Sequence, residues 1–168
     1  MATAKERLLE WLRDAHAAEE QAETMLSGMA SRLEHYPQLK ARIEQHIRET
    51  QRQAELVRGC IERNGGSTSA LKDMGGKMLA MGQAMSGIFV SDEVMKGAIA
   101  SHAFEAMEIA SYRILIATAE HVGDTETARI CREILAEEEA MAAWLDENLP
   151  DLTKQYLARE EMGVTAKH

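Results

Sequence analysis

Ser101–Tyr112, SHAFEAMEIASY, puts two carboxylates, Glu105 and Glu108, at positions where a helix buries apolar side chains. With a helix running from about Asp92 to Val122, the seam at alternating steps of three and four is Ala98, Ser101, Glu105, Glu108, Tyr112, Leu115, Ala119 and Val122. Two acids one turn apart therefore sit in the middle of the seam. Like charges at that spacing repel, and burial disfavours either of them, so the chain must supply a cation, a proton or solvent. A metal ion is the most economical cation.

The surrounding composition selects the class of fold. The chain has 168 residues, 45% of them hydrophobic, which fits one domain, 1–168, with a full core. Only two prolines occur, and Ala, Leu, Met, Glu, Gln and Arg dominate, so an all-α fold is expected. Aromatic and β-branched residues are too sparse for sheets. A net charge of -9, with no clustered Lys and Arg, excludes a nonspecific nucleic-acid binder. Cys60 and Cys131 lack metal-finger or redox spacing and read as reduced core residues. MATAKERLLEWLRD has no apolar leader pattern, and no later stretch suits a membrane span, so no membrane partner and a cytoplasmic location are expected.

Working outward, a first helix from about Ala4 to Glu34 has the seam Leu8, Leu12, Ala15, Glu19, Ala22, Leu26, Met29 and Leu33. Its only charged member is Glu19; Glu20 and Glu23 fall off the stripe as solvated acids. Tyr36-Pro37 marks a short turn into a second helix, about Pro37 to Asn64, which Gly65-Gly66 stops. The apolar ends of that helix flank a polar centre, with His46 and Glu49 one turn apart on one face. A fourth helix, about Thr125 to Asn148, is capped by Asp124 and has the seam Cys131, Ile134, Glu138, Met141, Leu145 and Leu149. Of Glu137-Glu138-Glu139 only Glu138 is expected to point inward. Pro150 is expected to break the chain, leaving Asp151 to Glu160 as a short C-terminal helix before a polar tail.

The connection between the second and third helices carries a weak helix of its own, striped by Leu71, Met74, Met78, Met81, Met85 and Ile88. The stripe reads as adaptable core filler. The length of the connection carries more weight, because helices of about 28 residues span roughly 42 Å. A connection this long suits a crossover that returns along the bundle and sets the third helix parallel to the second.

Each long helix thus has a seam interrupted near its midpoint: Glu19, His46 with Glu49, Glu105 with Glu108, and Glu138. Midpoints of equal helices share one level in a bundle, so these groups converge in a low-dielectric core that favours protonation or bound divalent ions. Oxygen ligands with one imidazole suit iron or manganese better than calcium or structural zinc.

This pattern resembles the ferritin-like superfamily of carboxylate-bridged di-iron and di-manganese bundles, with Glu105-x-x-Glu108 similar to the paired acids of rubrerythrin-type sites. Over nearly the whole chain, WLRDAHAAEEQAE, HYPQLKARIEQHIRETQ, FEAMEIASY and LAEEEAMAAWL resemble in order the motifs of the bacterial YciE/YciF stress-response family, nearest its YciE members. The resemblance implies a ferritin-like four-helix bundle with extra helices, a homo-oligomer with a dimer as the default, a dinuclear iron or manganese site and a role in stress. The metal ligands it carries over are Glu19, His46, Glu49, Glu105, Glu108 and Glu138. Two departures stand out: the second helix reads His46-x-x-Glu49 instead of Glu-x-x-His, and Met141 occupies the place of the second imidazole.

Two functional readings follow. In the first, a di-metal oxidase, peroxidase or catalase uses Glu19 and Glu138 as terminal ligands, Glu49 and one of Glu105 or Glu108 as bridges, and His46 as the nitrogen ligand. Tyr112 then hydrogen-bonds a ligand, serves as a radical-relay residue, or is a core tyrosine with a satisfied hydroxyl. In the second, the scaffold is a stress-related interaction protein whose central acids are protonated or paired. A cage-type iron store is a third option, which needs assembly surfaces.

Overall fold

The computed structural model describes residues 1–66, 92–164 and 166. Four helices account for almost all of them: α1 (Ala4–Ala30), α2 (Pro37–Arg63), α3 (Glu93–Val122) and α4 (Thr125–Glu161). No strand occurs among the described residues.

Local chemistry sets the helix ends. Thr3 and Glu6 form a reciprocal capping box that opens α1. The helix closes at Ala30, short of the expected Glu34, where i→i−3 bonds from Arg32 to Met29 and from Leu33 to Ala30 tighten the last turn. Pro37 occupies the first turn of α2, where its missing N–H costs nothing. Gly65, at φ 75°, ends that helix: its N–H reaches Glu62 and that of Gly66 reaches Ile61, a Schellman pair that needs a left-handed residue. Gly123 ends α3 in the same way at φ 78°. Asp124 then caps α4 by accepting from the Thr127 N–H at 3.0 Å.

Contacts between helix ends define the topology. The Arg32–Glu93 ion pair and the Ser101 hydroxyl, 3.8 Å from Met29 Sδ, bring the end of α1 to the start of α3. At the other end, Asn64 donates to Asp124 at 2.9 Å and joins the end of α2 to the start of α4. With α1 and α2 joined by a short turn, α1 is antiparallel to both α2 and α3, so α2 and α3 run parallel. The crossover expected from the connection's length is therefore present. The helix expected within that connection lies outside the described residues.

The expected break at Pro150 does not occur: α4 continues through the proline to Glu161. Pro150 faces solvent, whereas Leu152 and Tyr156 beyond it are buried against the bundle. Tertiary burial outweighs the lost backbone hydrogen bond, so the short C-terminal helix is the last part of α4.

The core is split in two. One apolar cluster gathers Leu26, Leu39, Ile43, Phe104, Met141 and Leu145; the other gathers Leu8, Leu12, Val57, Cys60, Leu115 and Ile134. Between them lies a buried polar layer containing Glu19, His46, Thr50, Glu105, Glu108 and Glu138. Among the described residues no helix is long and apolar enough to cross a membrane.

Candidate metal centre

Each helix contributes to the polar layer at its inward seam. Glu19, His46 and Glu138 are fully buried, and Glu105 and Glu108 nearly so. His46 Nε2 lies 3.3 Å from Glu105 Oε2 and 3.5 Å from Glu138 Oε2. One potential ligand atom from each of these three residues falls within 4.8 Å of the others. Tyr112, one turn beyond Glu108, donates its hydroxyl to Glu19 Oε1. The hydroxyl is thus satisfied, and its partner is one of the expected metal ligands.

Glu49 is placed differently from the other five residues. Its Oε2 lies 2.9 Å from His46 Nδ1, behind the imidazole, and its carboxylate is partly exposed. Arg42 at 3.1 Å and Gln45 at 2.7 Å hold it there. The expected bridging carboxylate thus sits at the outer face of the histidine, where it fixes the ring and aims Nε2 inward. Arg42 was not among the expected site residues, although its i, i+4 and i+7 spacing to His46 and Glu49 puts all three on one helix stripe. His102 pairs with Asp146 at 2.7 Å, and His121 is exposed, so neither supplies the imidazole absent from α4.

The electrostatics follow from burial and crowding. Burial pushes Glu19 up to about 8 against the lowering effect of the Tyr112 hydrogen bond. Burial, followed by the close Glu105 carboxylate, pushes Glu138 up to about 10. Glu108 is raised well above the usual carboxylate range by burial and the charges of Glu19, Glu138 and Glu105. Burial works against protonation of His46, but the carboxylates of Glu105, 3.3 Å away, and Glu49 prevail and lift it to about 10. The same bond from His46 holds Glu49 down at about 2.

Hydrogen bonding still leaves the layer incomplete. Glu19 Oε2, His46 Nε2, Glu105 Oε2, Glu108 Oε1 and both oxygens of Glu138 are buried without a hydrogen-bond partner. Orphaned buried acceptors of this kind are expensive, and their convergence on one level fits a cation. Of these residues, His46, Glu105 and Glu138 stand close enough together to hold a metal ion. Met141, three residues after Glu138, is fully buried in the apolar cluster.

Known proteins share this arrangement of helices. A crystal structure of a protein from Xanthomonas campestris pv. campestris is 44% identical, with a TM-score of 0.80 over 95% of this chain and 99% of that one. YcfI from Rhodopseudomonas palustris is 26% identical, with a TM-score of 0.68 over 86% of this chain and 94% of its own. The E. coli stress protein YciF shares the fold at 22% identity, with a TM-score of 0.74 over 90% of this chain and 97% of that one. This likeness agrees with the resemblance to the YciE/YciF family read from the motifs. A family profile described as a domain of unknown function, DUF892, matches residues 3–158. With that match and the 44% identical relative, the chain belongs to the DUF892 family.

Proposed function

We propose that this chain is a ferritin-like stress-response protein that binds iron or manganese in the bundle core, as a dinuclear centre, and handles oxygen, peroxide or iron. The observation that carries this reading is the set of orphaned oxygens and the Nε2 nitrogen converging between the two apolar clusters. Glu19, His46, Glu105, Glu108 and Glu138 would hold the ions, and Glu49 would orient His46. When bound, iron or manganese supplies redox chemistry and coordination positions for oxygen or peroxide. The Tyr112 hydroxyl keeps one Glu19 oxygen in place and leaves the other for a cation. The apolar clusters above and below exclude bulk water, which strengthens each charge interaction within the layer.

The likeness to YciF supports the stress role, and a cytoplasmic homodimer is part of the same reading. The test is elemental analysis after reconstitution with ferrous and manganous ions under reducing conditions. The reading requires near-stoichiometric metal in the wild-type chain and its loss in a Glu105→Gln/Glu138→Gln double variant. A wild-type chain that takes up neither metal refutes it.

Met141 favours a second reading, a non-catalytic helical scaffold in which the crowded acids share protons. A thioether in an apolar cluster contributes nothing to a hard cation, so α4 brings one ligand where two are usual. On that reading the double variant keeps all function, and no metal is found at any stage.

A further inference from the structure

The polar layer does not stop at His46. Along the inward stripe of α2 the next two positions, Thr50 and Gln53, are also polar and buried, before Val57 and Cys60 restore apolar side chains. Burying a polar stripe costs free energy unless it has partners, and Gln53 is half satisfied. Its amide donates to Glu137 Oε2 at 2.9 Å, while its carbonyl oxygen is buried with no partner. Glu137, expected as a solvated acid, is instead 28% exposed at the seam between α2 and α4 and adjoins Glu138 in sequence. Arg52, itself 45% exposed, reaches across the same seam to Glu133 and Glu137. Among the described residues α2 and α4 are more loosely apposed than α1 and α2 or α3 and α4.

We propose that the α2–α4 seam is the path by which a divalent cation reaches the core, with Glu137 as its outer carboxylate and the Gln53 carbonyl oxygen as its inner relay. The inference rests on the metal-binding reading above and adds a route to it. Glu133 and Glu137 attract a hydrated cation, which displaces the exposed Arg52 guanidinium at little cost. The Gln53 oxygen then replaces part of the hydration shell before Glu138 and His46 take the ion. Among the described residues the opposite face of the bundle lacks such a ladder. There a cavity of about 570 Å³ opens between α1 and α3, lined by Trp11, Ala18, Met107, Ile114 and other apolar side chains, with Asp14 and Ser111 as the polar exceptions.

The test is stopped-flow mixing of metal-free full-length protein with cobalt(II), whose visible absorption reports uptake. Gln53→Leu is expected to slow loading about ten-fold and Glu137→Gln several-fold, with stoichiometry and final spectrum unchanged. Arg52→Ala is expected to load faster than wild type, and Ser111→Leu, which fills the α1–α3 cavity, at the wild-type rate. Glu137 and Arg52 are partly exposed, so those two variants fold even if Gln53→Leu does not. Wild-type loading rates in the seam variants, or slowed loading in Ser111→Leu alone, overturn the route and leave the metal reading standing. A wild-type chain that binds no cobalt overturns both.

Discussion

Glu49 Oε2 lies 2.9 Å from His46 Nδ1, on the other side of the ring from the nitrogen that faces Glu105 and Glu138. This pairing turns a reversed sequence order, His-x-x-Glu, into a working geometry. The imidazole takes the inner position, and the carboxylate becomes its anchor, itself gripped by Arg42 at 3.1 Å.

Glu49 is therefore expected to tune metal affinity without setting stoichiometry. Glu49→Leu frees the ring and is expected to weaken binding by about 10–100-fold, while Glu49→Gln, which still accepts from Nδ1, costs less. Equilibrium titration against a competing chelator measures both effects. Loss of a whole ion in either variant would return Glu49 to the ligand set.

Glu138 is fully buried facing His46, with both of its oxygens lacking a hydrogen-bond partner. In metal-free protein its removal takes two orphaned oxygens out of the core. Glu138→Leu is expected to stabilise the metal-free fold by about 1–3 kcal/mol and to abolish stoichiometric metal. Thermal unfolding in a chelator checks the first effect. A lower midpoint would mean that the acids satisfy one another through shared protons.

The metal-free protein is also expected to lose stability as pH rises. Glu19 and Glu138 titrate at about 8 and about 10 in the fold against 4.5 ordinarily, and His46 at about 10 against 6.5. Each raised value means that the folded state binds more protons than the unfolded chain, so stability falls from about pH 5 through pH 10. Glu49, held at about 2, works in the other direction and loses its contribution only below pH 4.5. Unfolding midpoints across pH 5 to 9 should therefore decline steadily without metal, and a flat or rising profile would contradict the burial of protonated acids.

Much of this site was legible because helical periodicity is a strong local signal. Steps of three and four place Glu19, His46, Glu105, Glu108 and Glu138 on the seams, and all five are buried in one layer. The crossover was legible for a geometric reason, since only a long connection can return along a helix of that length. The side on which Glu49 meets His46 was not legible, because one turn of helix brings it beside the ring but does not say which ring nitrogen it meets. Arg42 and Gln45 hold that carboxylate, one at each oxygen. The half-buried position of Glu137 was hidden for a similar reason: its partners, Gln53 and Arg52, lie on a different helix. Pro150 misled because local propensity was opposed by burial farther along α4.

Pro150 supplies the last test. It lies inside α4, where it cannot donate to the Asp146 carbonyl, yet Leu152 and Tyr156 beyond it are buried with Leu33 and Tyr36. The ring is exposed and water can reach the freed carbonyl, so the penalty is smaller than at a buried site. Pro150→Ala restores the hydrogen bond but loosens the unfolded chain, and the expected net effect is a stabilisation of about 1–2 kcal/mol. Leu152→Ala, by contrast, is expected to cost about 2–4 kcal/mol by opening a cavity where the end of α4 meets the bundle. Calorimetry on both variants separates the two contributions. Should Pro150→Ala prove less stable than wild type, the proline would be setting a bend that seats Leu152 and Tyr156, and helix continuity alone would not account for the end of α4.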